Sequence, residues 1–302
     1  MTNFYGQFIG FGSGGVGLVP MGQVQGRTFG YHAGRQFSNA IEKYSFTAQL
    51  DSVDVANLSG NTYYAVGTSS LTHGYRNGAF AYVDTIERHQ FATTDDVTDV
   101  GDLTSSRGGG TPSNDTTHGF IQGGTTGGYV TTIDKVEFAA TADGTTWGDL
   151  DNEGGFGAGC SSSTHGYVMG GANSKQEIQK HAFANDTNAA QVSSCTVNSY
   201  GAGGNSSLTH GYSFMGQGGA NYQKFAFASD SDASNVGDTI DDNWEGVPSN
   251  SADSGYIGGG SSPTTDVIQK FPFASDANTT DWANLSVVGT GSGADSRCGW
   301  QV

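Results

Sequence analysis

The chain carries almost nothing with which to staple itself or to enter a membrane. Its three cysteines (Cys160, Cys195, Cys298) form no CxxC pair, and an odd number speaks against a disulfide framework. No apolar run approaches the length of a spanning helix. Residues 1–20 lack both the basic start and the unbroken apolar stretch of a secretory signal. The expectation is a protein without membrane insertion, one that would leave a cell by lysis or within a particle. No window sustains an apolar period of 3.6, so almost no helix is expected. Basic residues are also few: 12 Lys and Arg stand against 29 Asp and Glu, and the net charge is −17. Such a surface repels phosphate backbones, which argues against nucleic acid as a partner.

What abounds is glycine, 49 residues of 302, in the company of Ser, Thr, Asn and Asp. These residues supply the unusual dihedrals of tight turns, and between them short alternating segments read as strands. A disordered chain can share that polar composition. It has no reason to space its 17 Phe, 13 Tyr and 4 Trp regularly, as this chain does.

The spacing is that of a repeat. Thr-His-Gly-Tyr/Phe returns at 72–75, 117–120, 164–167 and 209–212, with degraded copies at 28–31, 253–256 and 297–300. The marker glycines (Gly30, Gly74, Gly119, Gly166, Gly211, Gly255 and Gly299) are 44 to 47 residues apart. In one copy a weak strand near 192–196 is followed by a Gly-rich segment, by Thr209-His-Gly-Tyr-Ser-Phe-Met-Gly216 and by the alternating Tyr222-Gln-Lys-Phe-Ala-Phe227. Four short antiparallel strands in about 45 residues match one blade of a β-propeller. The predicted fold is all-β, a single domain over 1–302, with blades near 17–58, 62–103, 107–150, 155–195, 200–240 and 245–285.

The third strand repeats most faithfully. It ends on Phe46, Phe91, Phe138, Phe183, Phe227 or Phe273, and three residues earlier stands Lys43, Arg88, Lys135, Lys180, Lys224 or Lys270. Two residues before the cation comes Ile in five copies and Tyr222 in the other. With a period of two, Ile and the cation share one face and Phe takes the other, as a wedge between blades. Each cation is expected to lay its stem on a neighbouring blade and pair with an Asp of the acidic turns. The sharper alternative is a basic ring gripping a sulfated or carboxylated glycan.

Blade number follows from the spacing of Phe to the next marker glycine: 28 residues five times, then 26 from Phe273 to Gly299. Counting 26 back from Gly30 reaches Phe4. Residues 287–302 would then begin a seventh blade that residues 3–11 complete, with 1–16 as a closing strand or attachment segment. Seven blades closed by both termini is the prediction, and six the alternative.

The repeat resembles the kelch motif. Gly166-Tyr-Val-Met-Gly-Gly171 is similar to its double-glycine strand, Ile178-Gln-Lys-His-Ala-Phe183 to its aromatic-bearing strand, and Trp147-Gly-Asp-Leu150 and Trp282-Ala-Asn-Leu285 to its Trp-x-x-Leu step. The match runs over 28–302, but Val100, Val192 and Val236 replace the Trp. More narrowly, the text of residues 268–278, the Val-Gly-Asp-Leu step at 100–103 and Ser-Ser-x-Thr-His-Gly-Tyr at 161–167 and 206–212 resemble repeat proteins of marine tailed phages of the cyanophage type. That resemblance implies a virion component of the tail-fibre or appendage kind, present in several copies.

Catalytic or metal chemistry finds little support in the residue pattern. His73, His118, His165 and His210 occupy equivalent positions, but other copies put Phe29, Ser254 or Cys298 there, so a hydrogen bond to neighbouring backbone is expected rather than a metal. Asp95-Asp96 and Asp230-Ser-Asp232 lack the spaced acids of a calcium loop. Thr141-Ala-Asp-Gly-Thr-Thr-Trp147 resembles the Asp-box turn of sialidases, itself structural, and no arginine cluster accompanies it. Neither enzymatic activity nor a cofactor is expected.

Variation between copies concentrates in the loop after the second strand, and recognition collects on such loops when a rigid scaffold carries them. Phe37, Phe80, Tyr82 and Tyr129 offer flat apolar faces there, with Arg35, Arg76 and Lys175 nearby in sequence. These seven residues are the candidate receptor- or partner-binding set. The expected function is a non-enzymatic virion protein that docks to other virion proteins or to a host-surface polysaccharide. A secreted carbohydrate-active enzyme and a kelch-like adaptor are the alternatives.

Overall fold

The structure, a computed structural model, describes residues 26–35, 38–214, 216, 219–241, 244–261, 265–286 and 299–302. Among these residues the strands form six four-stranded antiparallel sheets. From the axis outward, blade 2 is Val66–Ser69, His73–Ala79, Val83–Gln90 and Thr98–Asp102. Blade 3 is Thr111–Asn114, His118–Gln122, Val130–Glu137 and Thr145–Gly154; blade 4 is Ala158–Ser161, His165–Gly171, Lys175–Ala182 and Ala190–Ser194. Blade 5 is Gly203–Ser206, His210–Phe214, Asn221–Ala226 and Ser234–Asp238; blade 6 is Val247–Asn250, Ser254–Gly258, Val267–Pro272 and Thr280–Asn284. Blade 1 draws on both ends of the described chain: Gly299–Gln301 is its inner strand, followed by Phe29–Arg35, Ser38–Ser45 and Val53–Asn57. The six inner strands touch in sequence around the axis, so the ring is closed.

The propeller therefore has six blades, not seven. The difference lies at Gly299, which matches the marker glycine of each second strand by its spacing yet lies on an inner strand, pairing through His32↔Gly299 and Gly30↔Gln301. Its true equivalents are Gly159 and Gly204. A Cβ on Gly299 would lie 1.8 Å from the Pro248 carbonyl oxygen, just as one on Gly159 would lie 1.9 Å from that of Pro112. Six inner strands meet so closely at the axis that these positions hold glycine, or proline at an unpaired strand edge. Residues 287–298, and the closing strand expected at 3–11, lie outside the described residues.

The marker glycines have the same steric cause. A Cβ on Gly166 would press on His181 of its own blade and on Ser113 of the preceding inner strand, each at 2.3 Å. The turn before each marker is built by side chains. Ser70, Ser162 and Ser207 each accept the amide of the following His through Oγ at 3.0 Å, and Asp115 does the same for His118 at 2.7 Å.

No single core fills the molecule; the described residues form six apolar clusters, one at each seam between blades. At every seam the last Phe of one blade stacks on the second-strand aromatic of the blade before it. The pairs are Tyr31–Phe91, Tyr75–Phe138, Phe120–Phe183, Tyr167–Phe227, Tyr212–Phe273 and Tyr256–Phe46, with ring centroids 4.5 to 5.0 Å apart. Offset stacking of this kind contributes about 0.5–1.5 kcal/mol per pair beyond area burial.

Each cation lies directly across the strand pair from that aromatic, as Lys180 does from Tyr167. Lys180 and Lys224 reach Asp230 and Asp276 in the turns of the next blade, at 2.9 and 2.6 Å. Lys43, Lys135 and Lys270 instead lie 4.0 Å over the rings of Phe29, Trp147 and Trp282 within their own blades, and the charge of Arg88 opposes the rise that burial causes in the Tyr75 phenol. The five lysines thus find their closest partner either in a ring of their own blade or in an acid across the seam.

One periodic feature was overlooked in the sequence. The residue before each cation is Glu42, Glu87, Asp134, Gln179, Gln223 or Gln269, and all six are buried. Five of them accept the backbone amide where the chain leaves the preceding blade: Ser286 to Glu42, Thr104 to Asp134, Asp151 to Gln179, Thr196 to Gln223 and Ile240 to Gln269. Glu87 binds Arg76 instead, at 2.9 Å. Aligning the third strands reveals this acid-or-amide column; reading strands as alternating apolar and polar hides it.

Two substitutions test the seams by urea unfolding. Phe138→Ala is expected to cost about 3–4 kcal/mol through lost stacking and the cavity left behind. Gln223→Leu, similar in volume, should cost about 2 kcal/mol because buried amides lose their acceptor.

Candidate functional site

The two ends of the ring present different chemistry. At one end lie the Ser-x-Thr-His turns. The four histidines do not bond to neighbouring backbone as the sequence suggested. Each ring Nδ1 is instead 2.8–2.9 Å from the hydroxyl of the threonine before it. Burial and an adjacent seam cation lower the pKa of His73, His165 and His210. Among the described residues no three His, Cys, Asp or Glu side chains come together as metal ligands would. Cys160 and Cys195 are buried thiols; burial raises both, Cys195 to about 12, which leaves them protonated and unreactive.

The opposite end carries the variable loops together with the segments that enter each inner strand. Of the residues singled out above, Phe80 and Tyr82 are exposed here, their rings 5.8 Å apart. Tyr129 is half-buried and packs over Gly155. Lys175 donates to the Glu153 carbonyl at 2.9 Å. Arg35 and Arg76 are buried rather than displayed on the rim. Arg76 donates to Glu87 and to the Gly78 carbonyl, while Arg35 lies close enough to His32 to depress its pKa, after burial. Phe37 falls outside the described residues.

What gathers the exposed aromatics is a set of residues that sequence reading missed. Phe80 stacks on Tyr63 at 4.3 Å. From there a run of ring contacts crosses this end through Tyr64, Phe156, Tyr200 and Trp244. Tyr64, Phe156 and Glu245 each stand two residues before an inner strand, and each has the left-handed φ that side chains rarely adopt: 57°, 59° and 61°. Gly109 and Gly201 occupy the same position in blades 3 and 5, at 65° and 72°. Backbone bonds join the five in series at 2.7–2.8 Å: Gly109 N to Tyr64 O, Phe156 N to Gly109 O, Gly201 N to Phe156 O and Glu245 N to Gly201 O.

The three large side chains belong to alternate blades 2, 4 and 6, and they meet over the axis. Tyr64 packs edge-on against Phe156 at 4.8 Å, with the Glu245 carboxylate close enough to act on its phenol. Burial and that carboxylate push the Tyr64 phenol up to about 12, so it stays a donor. Gly109 makes room for the Phe156 ring, which a Cβ there would strike at 2.4 Å. Below this cap, polar inner-strand residues such as Thr68, Ser113, Asn205 and Asn250 line a narrow axial cavity of about 60 Å³. No protein-family model and no curated protein matches this chain.

Among the buried titratable groups, His181 sits against Phe120 and 3.3 Å from the Ser113 hydroxyl; burial lowers its pKa to about 4. The unfolded chain therefore takes up this proton first. Stability is expected to fall as pH drops from 6.5 toward 4, by about 2 kcal/mol at pH 5 from this residue. Blades 5 and 6 have Phe225 and Phe271 at the equivalent position. Denaturant melts of His181→Phe between pH 7.5 and 5 should lose that share of the pH dependence.

Proposed function

We propose that this chain is a non-enzymatic component of a phage virion: a propeller module, carried in several copies on a tail or other appendage, that docks to a host-surface glycan or to neighbouring virion proteins. The observation that carries the binding part of this reading is the run of contacting rings at one end of the ring, from the exposed Tyr82 and Phe80 through Tyr63, Tyr64 and the buried Phe156 to Tyr200 and Trp244. Flat rings on a rigid scaffold suit sugar stacking and protein hot spots alike. The seams hold the blades rigidly, so the face is preorganised at little entropic cost to binding.

The virion part rests on residues 161–167, 206–212 and 268–278 and their likeness to repeat proteins of marine tailed phages. Relation to the kelch family is supported by the double glycines Gly123-Gly124, Gly170-Gly171 and Gly259-Gly260, all six at positive φ. The net charge of −17 keeps copies apart and disfavours nucleic acid.

Gradient-banded particles from an infected culture, digested and examined by mass spectrometry, test the reading. The chain should copurify with capsid and tail proteins at constant stoichiometry through successive gradients. Its absence from purified particles would overturn the assignment.

A further inference from the structure

We infer that the cleft between blades 1 and 2, on the end of the ring that carries the Ser-x-Thr-His turns, binds one carboxylated sugar unit, with Lys43 pairing its carboxylate and Phe29 and Leu71 receiving its C–H face. The inference deepens the glycan-docking reading above and rests on it for the choice of a sugar. It places a second, chemically different contact on the end opposite the run of rings.

The first argument compares two seams. The cleft between blades 1 and 2 has a volume of about 330 Å³, and the one between blades 4 and 5 about 290 Å³. Their walls correspond: Tyr31 to Tyr167, Lys43 to Lys180, Leu71 to Leu208 and Phe91 to Phe227, with Phe29 in the place of His165. What separates them is one acid. In the second cleft Lys180 binds Asp230 of the next blade at 2.9 Å, and at the following seam Lys224 binds Asp276 in the same way. Blade 2 has Thr94 at that position, three residues after Phe91 as Asp230 is after Phe227. The turns agree in backbone too, since the amides of Thr93, Ser229 and Ser275 each donate to the carbonyl three residues back. Asp96 is taken by the backbone and side-chain amides of Asn57 at 2.8 and 3.1 Å, just as Asp232 is taken by the Ser194 amide. Among the described residues Lys43 therefore pairs with no acid, and its ammonium lies 4.0 Å over the Phe29 ring. Gln49 and Thr141 replace the acid at the two adjoining seams, so this column of carboxylates is missing on both sides of the cleft.

The second argument is chemical. An ammonium resting on a ring keeps donors for a carboxylate. Lys180 shows where that carboxylate sits, because Asp230 supplies it from within the chain. Lys43 and Phe29 are half-buried and Leu71 is exposed, so the cleft offers a cation and two apolar faces to solvent. Thr28, Thr72 and Gln90 are exposed on its lip and can exchange hydrogen bonds with ring hydroxyls. The Val302 carbonyl on the same wall is already taken by the amides of Arg27, Thr28 and Phe29 at 2.8–3.0 Å. The volume is near the lower end for small-molecule sites, which suits one sugar ring. A pyranose acid matches each part: C–H face to Phe29 and Leu71, carboxylate to Lys43, hydroxyls to the lip. On a chain of net charge −17, an anionic ligand settles where a cation has been left unneutralised. The full basic ring raised as an alternative from sequence is thus reduced to one cleft, because Lys180 and Lys224 carry their own acids.

The test is a titration of the intact protein by calorimetry and saturation-transfer NMR. Probes are glucuronate, oligogalacturonates and sialyllactose, set against lactose, dextran sulfate and a glutamate-rich peptide. At least one carboxylated sugar should bind at a single site, more weakly as salt rises from about 20 to about 300 mM. Thr94→Asp gives the cleft the acid of its counterpart. It should lower affinity at least tenfold while leaving the melting midpoint within a few degrees of the parent. Lys43→Met should lower it as much, and Asp230→Thr should raise the number of sites from one to two. A carboxylated sugar that binds the parent, Thr94→Asp and Lys43→Met equally would overturn the inference by placing the site elsewhere. Preference for the neutral sugar, the sulfated polymer or the peptide, or binding of no probe at all, would overturn it too, and each leaves the virion reading to be decided by the gradient-banded particles. Binding as expected by a chain absent from particles would uphold the site and remove the virion reading.

Discussion

Closure of the ring is the constraint on which the rest of this structure depends. Blades built from four short strands each bury little on their own, and isolated hairpins are marginal in water. Stability comes from the seams, and a ring has no unpaired seam only when its last blade meets its first. Here that junction combines the Tyr256–Phe46 stack, the Trp282 indole bonded to the Ser45 carbonyl, Glu42 accepting the Ser286 amide, and Gly299–Gln301 added as the innermost strand of blade 1. The same strand touches the inner strands of blades 6 and 2, with Gln301 accepting the Asn250 amide. One short strand therefore ties three blades together.

The blade was legible in the sequence because the physical demand on it is repeated. A stacked Phe, a cation opposite its partner's aromatic, and a glycine where blades crowd recur at fixed intervals, and no single-copy motif could carry that weight. What was not legible has equally physical reasons. Gly299 and the marker glycines look alike as letters, although one set makes room at the axis and the other between a second strand and its neighbours. The buried column from Glu42 to Gln269 was hidden because polar residues on a strand are read as solvent-facing. A propeller buries both faces of every blade, so that assumption fails here.

The candidate site was legible only in part. Phe80, Tyr82 and Tyr129 stood out as loop aromatics and do lie on one end of the ring. Arg35 and Arg76 stood out equally and are buried. Tyr64, Phe156 and Glu245 gave no local signal, because nothing in Tyr64-Ala-Val or Phe156-Gly-Ala announces a left-handed backbone. Only the position two residues before each inner strand, compared across blades, links them to Gly109 and Gly201. The repeats that stabilise the ring also set a background of glycine against which three large side chains become conspicuous.

The closure account is tested most directly by ending the chain at Cys298 and following urea unfolding by aromatic fluorescence. Loss of the innermost strand of blade 1 should remove the larger part of the unfolding free energy. It should also expose the Tyr31, Tyr256 and Phe46 rings to quencher. A shortened protein that unfolds at the same urea concentration, with those rings still protected, would contradict it.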